Sequence, residues 1–196
     1  MKAHSVSVVL IVIVGMFLAA CAPANIATTT PTGVPAKTLT GPSAGEAAPC
    51  KDVENCTYII DGKPISLVNG VAENDMTPGS DSKIITRYFG NEVEVDLNSD
   101  GLMDMAFLLQ QENGGSGTFY YVVAAIQTAD GYLGTNAIFL GDRIAPQSTN
   151  LDLKDPSRFV VNYVDRKEGE PMSSPPTEGV SKTFKFENGS LVEVTE

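Results

Sequence analysis

The chain has 196 residues, with 13 Lys and Arg against 24 Asp and Glu, for a formal charge of −11. So acidic a surface repels nucleic acid and anionic lipid headgroups and suits cations or basic partners, although solubility alone is the commoner reason for such a charge. There is one histidine and no tryptophan; if His4 is removed with a leader, no Ser-His-Asp or Cys-His arrangement and no histidine-ligated zinc site can be built.

Lys2 opens a short basic start, and Val6 to Leu18 is an apolar run broken only by Ser7 and Gly15. It is short for a bilayer span, and residues 1–20 read as a secretory signal peptide. The run closes on Leu18-Ala19-Ala20-Cys21, which resembles the lipobox of bacterial lipoproteins. That resemblance implies cleavage before Cys21, a diacylglyceryl group on its sulfur, and a lipid-anchored protein of the cell envelope. Ala22, where an aspartate would retain the protein at the inner membrane, implies the outer membrane in a host with two.

Residues 21–49 hold mostly Ala, Thr, Pro, Gly and Ser, with Pro23, Pro31, Pro35, Pro42 and Pro49 spaced along them. Such a segment cannot bury enough apolar surface to offset its ordering entropy, so a disordered tether is expected behind the lipid. Cys50 and Cys56 follow. In an exported chain the simplest reading is one disulfide closing a small loop; the competing metal pair lacks two further ligands.

Residues 50–196 have the length of one domain and the pattern of strands. Asp61-Gly62, Asn69-Gly70, Asp100-Gly101, Asp130-Gly131 and Asn188-Gly189 are turn dipeptides, most of them set between apolar, β-branched segments. "TYIIDGKPISLVNG" reads as a hairpin. "EVEVDL" alternates with Val93, Val95 and Leu97 on one face. "FYYVVAAIQT" is apolar on both alternations, which predicts a central strand covered on each side. "ENGGSGTF" reads as a hairpin connection and "RKEGEPMSSPP" as a surface loop. "TFKFENGSLVEV" sets Phe186 against Val192 if Asn188-Gly189-Ser190 forms a three-residue loop. The expectation is mainly β: a single small antiparallel β domain, a meander of hairpins.

Asp96 to Asp104, "DLNSDGLMD", carries the strongest chemical signal. Calcium prefers six to eight oxygens, and alternating Asp or Asn in a short loop can wrap one ion. Asp96, Asn98 and Asp100 would supply side-chain oxygens and Leu102 its peptide carbonyl, with Gly101 permitting the sharp turn. An EF-hand would need an acid at position twelve, which is Phe107, and flanking helices, which the strand alternation denies. The pattern D-x-N-x-D-G-x-x-D between strands instead resembles the calcium loops of integrin-alpha-type (FG-GAP) repeats. That resemblance implies Asp104 as the further ligand; it covers one loop and implies no propeller. An unliganded acidic turn is the alternative.

"GDRIAPQ" and "NYVDR" each place an Asp-Arg pair just past an apolar strand. Asp142, Arg143, Asp165 and Arg166 could line a polar site at one sheet end, and structural ion pairs are the ordinary alternative. The wider domain is similar to small bacterial lipoproteins that carry this loop and "GTFYYVVAA…GDRIAPQ", a resemblance that implies no activity. Two function classes fit. One is a non-enzymatic, calcium-stabilised binding or structural lipoprotein, its partner a protein or envelope polymer. The other is a carboxylate-dependent hydrolase or accessory enzyme of the envelope using Asp142, Asp165 or neighbouring acids. The residue inventory favours the first.

Overall fold

The computed structural model describes residues 48–195; the signal peptide, Cys21 and nearly all of the expected tether lie outside them. A single 3-10 turn, Val53–Asn55, precedes a run of strands. No helix among the described residues is long and apolar enough to cross a membrane. Strands β1 (Thr57–Ile60) and β2 (Lys63–Ser66) form the expected hairpin. Next come β3 (Val71–Asp75), β4 (Lys83–Val95), β5 (Asp104–Glu112), β6 (Phe119–Thr128), β7 (Gly131–Gly134) and β8 (Ile138–Asp142), which make one six-stranded sheet. The last four, β9 (Ala145–Leu151), β10 (Arg158–Asp165), β11 (Glu178–Glu187) and β12 (Ser190–Val194), make a four-stranded sheet in the order β12-β11-β10-β9. All these strand pairings are antiparallel, as expected.

Residues 105–109 of β5 and 119–126 of β6 show why the sequence there is apolar without a break. Ala106 and Leu108 of β5, with Val122, Ala124 and Ile126 of β6, pack on Phe159, Val161 and Phe184 of the four-stranded sheet. The intervening Phe107, Leu109, Tyr121, Val123 and Ala125 pack on Tyr58, Ile60 and Ile65 of the hairpin. Alternate residues therefore serve different cores, each fully buried large side chain contributing about 1.5–3 kcal/mol. The far edge of β6 is shared. Strand β7 pairs with its second half and β8 with its first. Between them Thr135 takes both backbone groups of Ala124, its N–H on the carbonyl and its Oγ1 on the N–H, each at 2.9 Å.

The Cys50–Cys56 disulfide is present, with Cα atoms 5.2 Å apart. Cys50 also pairs with Tyr132 of β7 through both of its backbone groups, at 2.9 and 2.8 Å.

Two turns differ from expectation. Glu187 faces Ser190 and Phe186 faces Leu191, so Asn188-Gly189 is a two-residue loop, not three, and the register moves by one. Both residues have positive φ, 51° and 78°, the combination whose twist matches that of flanking strands. At Asp130-Gly131, Gly131 already pairs with Thr128, so the loop is Ala129-Asp130.

Candidate functional site

Strand β4 enters the acidic loop with its alternation intact. Val95 and Leu97 are buried in the core between the two larger sheets, and Asp96 takes the other side of the strand. Past Leu97 the backbone curls, with Ser99 and Gly101 at φ 60° and 87°. Side chains hold the curl. One oxygen of Asp96 accepts the N–H of Asp100 at 3.1 Å and the other that of Gly101 at 3.0 Å. Asn98 Oδ1 shares the Asp100 N–H at 3.1 Å, and its Nδ2 donates to Asp100 Oδ2 at 2.8 Å. Asp100 Oδ1 accepts the N–H of Leu102 at 2.8 Å. These are the local side-chain-to-backbone turns that Asp and Asn favour. Asp96, Asn98 and Asp100 are thus brought onto one turn, and Leu102 beside them is exposed.

Asp104 opens β5 and is fully buried. Its Oδ2 accepts the N–H of Leu97 at 2.9 Å and its Oδ1 that of Gln127 at 2.8 Å. One bond closes the loop; the other fastens β5 to β6 beyond their last paired residues, Met105 and Ala125. Burial pushes the Asp104 carboxyl up. The bonds from Gln127 and Leu97 pull it down, the charges of Asp100 and Asp96 push it up again, and the net result lies above its ordinary value.

The donor set is all oxygen, the chemistry that suits calcium, and a carboxylate oxygen accepting one N–H keeps a lone pair. Among the described residues, no three acidic, histidine or cysteine side chains stand together as a metal site. Asp96 and Asp100 are held by bonds to the loop's own backbone, so an ion would draw in oxygens that now serve the turn.

The Asp-Arg pairs do meet, and they form a clamp. Thr118 N–H donates to Asp142 Oδ1 at 2.8 Å, and the Arg143 guanidinium grips the same carboxylate at 3.2 and 3.0 Å. Arg166 spends Nε on the Ser174 carbonyl at 2.7 Å and Nη1 on the carbonyls of Asp142 and Arg143 at 3.1 and 3.2 Å. Asp165 accepts the N–H of Arg166 at 2.7 Å. Burial alone would raise the Asp142 carboxyl; the bonds from Arg143 and Thr118 and the charges of Arg143 and Arg166 hold it below its ordinary value. The cluster fastens the 166–177 loop to the end of β8.

Sequence reasoning passed over a cleft beside the hairpin, lined in part by Asp61, Gln111 and Asn113. Gln111 was legible: it stands where the Phe107-Leu109 alternation calls for an apolar residue, and it is 6 % exposed. No protein family, no curated protein and no solved structure matches the chain.

Proposed function

We propose that this chain is a lipid-anchored protein of the cell envelope whose β domain serves a binding or structural role and takes calcium in the 96–104 loop. The observation that carries the calcium reading is the convergence of Asp96, Asn98 and Asp100 on a single turn, with the charges of Asp96 and Asp100 felt at the Asp104 carboxyl. Asp96, Asn98, Asp100, Asp104 and the Leu102 carbonyl would hold the ion, which would neutralise the repulsion among the carboxylates. The anchor rests on Cys21 and the apolar run before it; the tether would hold the domain away from the bilayer.

The hydrolase alternative would rest on Asp142 and Asp165. Both carboxylates accept bonds from neighbouring backbone groups, and Asp142 from Arg143 as well, so neither offers an observation in its favour. Calorimetric titration of chelated, exported protein with calcium tests the loop: saturable heat supports it, and no heat at millimolar calcium makes it an acidic turn. Acyl labelling tests the anchor: label should enter the native protein and not Cys21→Ser, and label in the variant removes the lipobox reading.

A further inference from the structure

The strand pairings fix which loops share an end of the domain. In the larger sheet Val95 pairs with Asp104 and Thr128 with Gly131. The 96–104 loop and the β6–β7 turn therefore lie at one end, tied by the Gln127 N–H on Asp104 Oδ1. The four-stranded sheet has its Asp165 end on the opposite side, where Arg166 bonds the carbonyls of Asp142 and Arg143. Its other end, at Phe159, packs in the same core as Val95 and Leu97. The β9–β10 turn, residues 152–157, thus stands at the end that carries the 96–104 loop. The chain enters there too, since Cys50 bonds Tyr132, which pairs with Gln127.

This end presents large apolar side chains to water. Leu102 and Met103 are 38 % and 45 % exposed, Leu151 is 45 % exposed, and Leu153 is wholly exposed. Exposed aromatics elsewhere lean on partners: Phe89 meets the Tyr120 ring at 5.3 Å and Phe139 the Tyr121 ring at 5.4 Å. Val68, Met76 and Met172 stand singly, which is ordinary for a surface. The turn under Leu153 is locked. The Asp152 N–H donates to the Arg158 carbonyl at 3.0 Å, Asp152 Oδ1 accepts the Lys154 N–H at 2.9 Å, and Arg158 pairs with Asp155 at 2.9 Å. Polar bonds on both sides therefore hold Leu153 outward, as those of Asp96 and Asp100 fix the curl before Leu102.

We propose that this end of the domain rests on a bilayer, with Leu102, Met103 and Leu153 entering the interface of a zwitterionic lipid surface. Two observations name the occupant. The chain leaves the domain at this end, toward Cys21, so the membrane that takes the anchor is the apolar phase these side chains meet. Asp96, Asp100, Asp130 and Asp152 share the same loops, which disfavours an anionic surface and leaves a zwitterionic one. A tethered domain meets its own membrane at an effective concentration of about millimolar, so a weak apolar contact is enough. The inference rests on the anchored reading and adds to it: the tether sets the farthest reach, and the apolar tips bring the domain back to the surface. It stands whether or not the loop takes an ion.

The chain has no tryptophan, so a single introduced indole reports its own surroundings. Leu153→Trp and, in the 166–177 loop at the opposite end, Met172→Trp are made in the exported full-length protein. Both positions are exposed, and circular dichroism confirms that the variants are folded. Each is mixed in chelator with phosphatidylcholine vesicles that contain a brominated phosphatidylcholine. Emission from position 153 should move to the blue and be quenched more strongly than emission from position 172. Adding Leu102→Ser and Met103→Ser to the first variant should reduce that excess. Equal quenching at the two positions, stronger quenching at 172, or none at either overturns the proposal. So does an excess that survives both serine changes. Quenching at 153 that appears only with anionic lipid and calcium also overturns it, since that marks an ion bridge in place of apolar contact. Acyl label is scored on the same samples, so failure of the anchor reading is seen separately; preferential quenching at 153 supports the contact with or without label.

Discussion

The side-chain amide of Asn136 exchanges two hydrogen bonds with the main chain of Leu191: Nδ2 donates to its carbonyl at 3.0 Å and Oδ1 accepts its N–H at 2.8 Å. One side chain thereby does for the outer edge of β12 what a neighbouring strand would do, and ties the four-stranded sheet to the segment between β7 and β8. Asn136→Ala should cost about 1–3 kcal/mol by leaving both groups of Leu191 without protein partners. Urea unfolding should show a lower midpoint at unchanged slope; a wild-type midpoint would mean that water replaces the amide without loss.

Asp104 sets charge against hydrogen bonding. Counting charges alone, its removal relieves an acidic loop and stabilises the protein free of calcium. The buried carboxylate, however, is the acceptor for the N–H groups of Leu97 and Gln127. Asp104→Ala should therefore destabilise by about 2–4 kcal/mol even in chelator, whereas Asp100→Ala, at the surface, should change stability far less. Paired thermal melts in chelator decide the sign, and a more stable Asp104→Ala protein would show repulsion to be the larger effect.

Calcium should raise the melting temperature in a concentration-dependent way. At a hundred times the dissociation constant the gain is about 2.7 kcal/mol, or about 5–10 °C for a chain of this size. Magnesium should do less, since it demands tight octahedral geometry and gives up water reluctantly. Equal shifts from both ions would point to general screening of the acidic surface.

Alkaline pH should unfold the protein through its buried phenols. Burial raises Tyr58 and Tyr88 well above the ordinary 10.0 and pushes Tyr163 up to about 12. Between these values the native state keeps protons that the unfolded chain has released, so stability is full below pH 10 and falls as pH rises through the folded values. Tyr163→Phe should flatten the decline of melting temperature above pH 10; an unchanged slope would show that Tyr163 does not carry it.

Strand identity was legible because alternation reports burial directly: Val93, Val95 and Leu97 share a core face, and β6 is apolar on both sides because two cores meet it. What escaped the sequence was set by contacts between distant residues. Nothing near Arg166 signals that it will span the carbonyls of Asp142 and Arg143, and Thr135 standing in for backbone beside Ala124 has no periodic signature. The Asn188-Gly189 register was open to a better reading, since two residues of positive φ already favour the shorter loop. For the loop, sequence spacing located Asp96, Asn98 and Asp100; it could not reveal that Asp104 is buried and pinned to a neighbouring strand, because Gln127 is 23 residues away.

The Cys50–Cys56 bridge has a mechanical consequence. Tension applied to the residues before Cys50 reaches the fold at a point bonded to Tyr132 through both backbone groups and to Cys56 through sulfur. The disulfide is a covalent shunt: it carries force past residues 51–55 and delivers it at the threshold of β1, so the 3-10 turn they contain stays slack while the chain outside is drawn tight. A pull from that side must then begin by parting Cys50 from β7 or by stripping β1 from β2. It cannot unravel the chain residue by residue from its N-terminal end while the sulfurs remain joined.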